Sequence, residues 1–429
     1  MNRTFKNASW IIGCKIVQSL LGIVVSLLSA RYLGPSDYGL IQYASSLTTF
    51  VVPIVTLGFN GIIVYELVSN PENEGEILGT ALISSVITSI LSILGLNLFV
   101  YLTNPADIRT ITVCGLFSIS LFFSALELIQ YWYQSKLLSK YSSVVALISY
   151  LMISVYRIFL LATGKSVYWF SIAHALDIAI IACSLLAIYR RLKGKKMSFS
   201  MDTAKRLLEK SKYYIVSNIM VTVMTQTDRI MLKHMISDEA NGWYAAAALC
   251  TGMTSFVFTA IADSFRPTIF EYYKKNKELY EVNIKRLYSI FIYLSLAQSI
   301  VMTMLSRIII FIMYGNEYME AHITLKILAW YTAFSCLGIV RNIWLLSEGK
   351  ERYVWSINMM GAIANIALNF LLIPLWRHNG AAIASLITQF LTNVLVGFFI
   401  VDIKENNRLM LKSINPKILI EMTKAIIKR

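Results

Sequence analysis

The chain is written in long apolar runs separated by short polar punctuation, and the runs have membrane-crossing length. A helix rising 1.5 Å per residue needs about 20 residues to cross a hydrocarbon core roughly 30 Å thick. Runs of this order, bounded by Gly, Pro, Asn and charged residues, predict spans over 8–31, 38–66, 77–103, 108–133, 142–163, 166–189, 211–236, 240–270, 285–314, 322–347, 353–376 and 379–402. The runs are continuous rather than alternating in ten-residue strands, which argues against a closed barrel. Helices then satisfy the backbone in lipid. The expectation is an all-α polytopic membrane protein of about 12 transmembrane helices.

The longest polar interruption, Arg190 to Lys210, falls near the middle and divides the spans six and six. The halves echo each other weakly: Gly34-Pro35-Ser36-Asp37-Tyr38-Gly39 follows the first span, and Asp238-Glu239-Ala240-Asn241-Gly242-Trp243-Tyr244-Ala245 follows the seventh. Two repeats of even span number share one orientation in the membrane, as in transporters built of two lobes. We therefore expect a six-helix lobe over 1–196, a second over 197–402 and a basic tail over 403–429, with the lobes around a central cavity.

Polar residues inside the spans change the picture from anchor to device. A lipid-facing helix should be apolar all round, so polar residues recurring every three or four positions mark a face turned to protein or water. The first span carries Lys15, Ser19, Gly22, Ser26 and Ser29, and the second Gln42, Ser45, Thr49, Pro53, Thr56 and Asn60. The seventh carries Asn218, Thr222, Thr225 and Arg229, and the eighth Thr251, Ser255, Thr259, Asp263 and Arg266. Weaker stripes run through Ser120, Ser124, Glu127 and Tyr131, through Tyr150, Ser154 and Arg157, and through Gly361, Asn365 and Asn369. Ser, Thr and Gly also serve plain helix packing. Embedded charges cost at least about 2.5–3.5 kcal/mol each near the bilayer centre and need a partner or water. Lys15, Arg157, Arg229, Arg266 and Arg341 are the candidate basic lining of a cavity, with Gln42, Thr49, Asn60, Asn218, Thr225, Ser255 and Thr259 as its polar lining. Asp228, Glu127 and Asp177 are candidates for binding a coupling proton or sodium ion. Structural pairing is the competing reading for Asp263 with Arg266, three apart on one face, and for Arg157 with Asp177. A basic, hydroxyl-rich cavity suits an anion bearing many hydroxyls: guanidinium binds phosphate in bidentate fashion, and hydroxyls and amides exchange bonds with sugar.

Charge then supplies direction. The chain is 57% hydrophobic and only 15% charged, yet Lys and Arg outnumber Asp and Glu by 39 to 24. That excess sits in short loops, not on a surface that would grip nucleic acid. Alternate loops hold 27 basic residues against five, which by the positive-inside rule places both termini in the cytoplasm. One segment dissents: Asn70 to Glu76 belongs to the basic side but carries only acidic charges. Five scattered cysteines and four scattered histidines give neither disulfide nor metal spacing, and no cofactor is expected. No loop exceeds about 20 residues and none holds paired carboxylates, so a membrane glycosyltransferase or polymerase is the least favoured class and no catalytic residue is assigned.

Three stretches resemble Wzx-type polysaccharide flippases, bacterial inner-membrane members of the superfamily that includes multidrug and toxic-compound extruders. They are Ala30-Arg31-Tyr32-Leu33-Gly34-Pro35-Ser36-Asp37-Tyr38-Gly39, Gln226-Thr227-Asp228-Arg229-Ile230-Met231-Leu232, and Asn365-Ile366-Ala367-Leu368-Asn369 through Leu372-Ile373-Pro374 to Gly380-Ala381-Ala382-Ile383-Ala384-Ser385. The resemblance implies a two-lobed bundle that flips an undecaprenyl-pyrophosphate-linked oligosaccharide by alternating access, for O-antigen, capsule or exopolysaccharide. It implies membrane lipids, a polysaccharide polymerase and chain-length proteins as partners. Of the basic candidates only Arg229, beside Asp228, lies in a matching stretch; the others rest on helical faces alone. A cation-coupled drug antiporter of the same superfamily is the alternative, and it calls for an acidic cavity.

Overall fold

The computed structural model describes residues 3–418, so Lys424, Lys428 and Arg429 of the basic tail lie outside the described residues. Among those residues, nine helical stretches are long and apolar enough to cross a membrane. Two of them, Gly13–Ser69 and Arg352–Phe399, run to 57 and 48 residues, about twice what one crossing needs, and each is bent within its length. The 35-residue helix Met201–Met235 has crossing length but is too polar to meet the same criterion. The all-α polytopic architecture is therefore as expected.

The helices are α1 Arg3–Val55, α2 Asn60–Ser69, α3 Glu74–Thr103, α4 Ile108–Glu127, α5 Gln130–Ser135, α6 Ser139–Ala162, α7 Val167–Arg191 and α8 Met201–Met235. They continue with α9 Asp238–Gly252, α10 Ser255–Lys275, α11 Lys277–Tyr314, α12 Ala321–Ser347, α13 Arg352–Phe390, α14 Val396–Phe399 and α15 Lys404–Lys412. Gly34 bends α1 with φ 73° and ψ 171°, a backbone state closed to residues with a Cβ, and Pro35 restarts the helix where its missing N–H costs little. In α13 the bend falls on Trp376 and Arg377.

Several breaks were not expected. The predicted span 38–66 stops at Val55, passes through Leu57 and Gly58 in positive φ, and resumes at Asn60. Predicted spans 108–133 and 240–270 break before Gln130 and before Ser255. The apolar pattern runs straight through all three breaks, and hydropathy cannot see them.

The chain divides into two compact units, Met1–Gln226 and Thr227–Arg429. In the first, Phe59, Ile63, Ile77, Trp132, Tyr133 and Leu207 belong to one buried cluster. In the second, Phe258, Tyr288, Phe291, Val340 and Trp344 do the same. Large apolar side chains are also exposed in rows, including Leu91, Leu94, Leu98 and Leu102 on α3 and Phe370 and Leu371 on α13. Facing water, such side chains would forfeit about 1.5–3 kcal/mol each. Facing lipid, they forfeit nothing.

The dissenting acidic segment is neutralised by its neighbours. Glu74 pairs with Lys136 at 2.7 Å and accepts the Trp132 indole N–H at 2.6 Å. Glu76 accepts the Thr203 hydroxyl at 2.5 Å, and Lys195 Nζ caps the Pro71 and Glu72 carbonyls at 2.9 and 3.0 Å. Buried Glu66 receives Lys210, with Arg206 at 3.7 Å. Its acidity is thus local complementarity to the basic loops on the same face.

Candidate functional site

The second unit gathers a buried polar cluster around Asp228, which is 3% exposed on α8. Asn365 and Asn369, one helical turn apart on α13, donate Nδ2 to Asp228 Oδ1 at 3.2 and 2.6 Å. Tyr244 of α9 and Ser385 of α13 beyond its bend donate their hydroxyls to Oδ2. Asn369 also donates to Asn365 Oδ1 at 3.0 Å, and its own Oδ1 is buried with no hydrogen-bond partner. Gly380, Ala381, Ala382 and Ala384 are small and buried, so the backbone around Ser385 can come close. Hydrogen bonds to a charged group contribute about 1.5–3 kcal/mol each, enough to hold a carboxylate inside a bundle. One carboxylate amid neutral hydroxyls and amides offers oxygen ligands to a single proton or a monovalent cation. Among the described residues no group of three His, Cys, Asp or Glu could hold a metal ion.

The first unit holds a second polar feature. Ser26 and Ser29 before the Gly34 bend, Gln42 and Ser45 after it, Arg157 of α6 and His174 of α7 line a cavity of about 130 Å³. At roughly 30 Å³ per water this has room for a few molecules. The His174 ring stacks on Phe117 at 4.9 Å. Nearby, Asp177 accepts the Ser149 hydroxyl at 2.7 Å. The partner that bonds Asp177 is thus a serine.

The remaining sequence candidates lie on α1, α2, α8, α10 and α12. Lys15 is exposed on α1, Thr49 half-buried on the same helix after the bend, and Asn60 exposed at the start of α2. Asn218 and Arg229 are half-buried on α8, where Thr225 is exposed and donates to Val221 O at 3.0 Å. Ser255 and Thr259 are exposed on α10. Arg266 pairs with Asp263 at 3.2 Å on that helix, as the three-residue spacing allows. Arg341, 4% exposed, donates to Thr392 O at 2.6 Å and to Asn342 Oδ1 at 3.2 Å. Thr392 lies in the π-helical turn Leu391–Leu395, whose widened ladder frees carbonyls for such a bond. Sequence reasoning did not single out Tyr244, Ser385 or His174 as site residues; a lone tyrosine, serine or histidine in an apolar run carries no spacing signal.

A family model described as polysaccharide biosynthesis protein matches residues 4–273, more than half of the chain, and a MatE model matches 214–371. A capsular polysaccharide biosynthesis protein, CapF of Staphylococcus aureus, is 23% identical over 407 residues, covering 92% of this chain and 98% of that protein. The lipid II flippase MurJ in an inward closed conformation superposes with a TM-score of 0.72 at 14% identity, over 96% of this chain and 92% of MurJ. An inward-facing multidrug resistance MATE transporter of the MOP superfamily gives 0.70 at 12% identity, over 92% and 96%. The three stretches that carry the resemblance to flippases include four of the five residues of the Asp228 cluster: Asp228 comes from one, and Asn365, Asn369 and Ser385 from another.

Proposed function

The chain belongs to the polysaccharide biosynthesis protein family of the MOP superfamily, and from that premise we propose that it flips an undecaprenyl-pyrophosphate-linked oligosaccharide across the bacterial inner membrane. Movement runs from the cytoplasmic to the outer leaflet by alternating access, for O-antigen, capsule or exopolysaccharide. Both termini lie in the cytoplasm. The observation that carries the reading is the exposure of Ser255, Thr259, Asp263 and Arg266 along one face of α10, in a protein that elsewhere exposes rows of large apolar side chains. Such a face supports a wet route for a hydroxyl-rich, anionic headgroup while the polyprenyl chain stays in lipid. No bond is made or broken; the barrier lowered is desolvation. Lys15, Arg157, Arg229, Arg266 and Arg341 are proposed to attract the pyrophosphate.

Purified protein in proteoliposomes, with a lipid-linked repeat unit radiolabelled in its glycan, tests this through exposure of the label to an impermeant glycosidase. We expect the Arg157→Ala/Arg229→Ala double variant to flip about tenfold more slowly, a loss of about 1.4 kcal/mol from the barrier-lowering interactions. Unchanged flipping at equal protein would remove those residues from the route. Asp228 is proposed as the coupling site: Asp228→Asn should leave flipping unresponsive to an imposed proton or sodium gradient, to which the unaltered protein responds. Glu127 and Asp177 are the coupling candidates of the first unit. The MatE match over 214–371 supports a second reading, a drug antiporter. Efflux of ethidium, in the absence of any glycan flipping, would favour it.

A further inference from the structure

The bend in α13 builds a pocket that the flipping route above does not use. Trp243, Glu320, Trp376, Arg377, His378 and Asn379 line a cavity of about 600 Å³ in the second unit, a size typical of small-molecule sites. Its wall is constructed. The Trp243 indole N–H is occupied by Glu317 O at 3.0 Å, which fixes the ring and leaves its face for contact. The same ring packs on His378 at 5.1 Å between centroids. His378 is 3% exposed, and its Nε2 lies 3.4 Å from Glu320 O. Its Nδ1 is buried and has no hydrogen-bond partner. Asn379 accepts the Thr324 hydroxyl at 2.7 Å through Oδ1, which leaves its amide N–H groups to donate. Trp376 is half exposed at the rim, and Arg377 beside it is held at φ 51° and ψ −133°. Non-glycine residues in that region are strained, and such strain persists where a side chain must be aimed.

We propose that this pocket binds a saccharide. Two indoles provide flat apolar faces for sugar C–H surfaces, and an amide, a carboxylate and a guanidinium provide both donors and acceptors around them. Glu320 beside Arg377 makes the lining electrically mixed, which favours a polyhydroxyl group over a phosphate. The inference rests on the flippase reading for its biological sense: with cytoplasmic termini, the turn between the last two spans faces outward, where the translocated glycan emerges. The pocket would hold the glycan on arrival.

Saturation-transfer NMR on protein in phosphatidylcholine nanodiscs, with N,N′-diacetylchitobiose and maltose as probes, reads binding without any transport. We expect transfer to the ring protons of at least one disaccharide, weakened about five- to tenfold in Trp376→Ala, the loss of one aromatic face. The melting temperature of the variant should match the parent. A second variant, Arg377→Gly, should weaken transfer while keeping the fold. Absence of transfer to both sugars in the parent, or equal transfer in both variants, overturns the pocket even if glycan flipping is observed. Binding in a protein that flips no lipid-linked glycan would instead uphold the pocket and remove the flippase reading.

Discussion

At the scale of single residues, two positions carry conformational or electrostatic cost that a stability-driven sequence would avoid. Arg377 occupies a glycine region of backbone space, and Asp228 is a carboxylate inside a bundle. Arg377→Gly should raise stability by about 1 kcal/mol, since relief of a strained φ outweighs the added freedom of the unfolded chain. Thermal unfolding in detergent, followed by tryptophan fluorescence, reads the shift. A lower melting temperature would mean that the guanidinium contributes more than its backbone costs. Asp228 was legible singly, as a charge in an apolar run. Its surroundings were not, because three of the four residues that bond it lie 137, 141 and 157 positions away and the fourth, Tyr244, 16 positions away on another helix. Spacing rules reach one helical turn, not half a chain. The same distance hid His174, although Ser26, Ser29, Gln42 and Ser45 of its cavity lie on stripes visible in the sequence.

Among elements, the number of spans was readable and their interruptions were not. Span number follows from hydropathy, a property each segment has alone. Interruptions at Leu57, Leu128 and Met253 depend on what packs against the helix, and the residues there stay apolar. The linker before α8 is a further case. It reads as a polar loop, yet its backbone lies against α3: Ser198 N–H donates to Gly75 O at 3.2 Å, and Ser200 N–H to the Thr80 hydroxyl at 3.0 Å. A Cβ on Gly79 would approach Ser198 O to 2.5 Å and Ser198 N to 2.7 Å, and one on Gly75 would strike the Lys196 carbonyl. Both glycines hold their place by admitting the strap. Gly79→Ala should cost about 1–3 kcal/mol and loosen the strap. Limited trypsinolysis should then cut faster after Lys193, Lys195 and Lys196, and an unchanged cleavage rate would show that the strap tolerates the methyl group.

For the whole molecule, each unit has its own apolar core and its own polar interior. The first presents a small cavity with Arg157 and His174, and the second a caged carboxylate and an aromatic pocket at the α13 bend. The charge pattern read from the sequence gave an orientation and one contradiction, the acidic segment before α3. Pairing of Glu74 with Lys136, the Lys195 bonds to the Pro71 and Glu72 carbonyls, and the pairing of nearby Glu66 with Lys210 and Arg206 resolve the contradiction in the folded state only.

That pairing has a temporal side. Lys210 is made 144 residues after Glu66, a delay of roughly 7–30 s at ribosomal speeds of about 5–20 residues per second. Until Lys136 is made, 62 residues after Glu74, the nascent chain offers the insertion machinery an acidic hairpin none of whose folded-state cations exists yet, with Arg3 and Lys6 the charges that lead it. Chains truncated before Lys136 should insert in mixed orientations, and chains extended beyond Lys212 in one, as read by glycosylation tags placed in the 70–76 segment. Uniform insertion of the short chains would mean that the N-terminal charges suffice. On the expected outcome, the salt bridges around Glu66 and Glu74 record a biosynthetic correction, made by later parts of the chain to the placement of earlier ones.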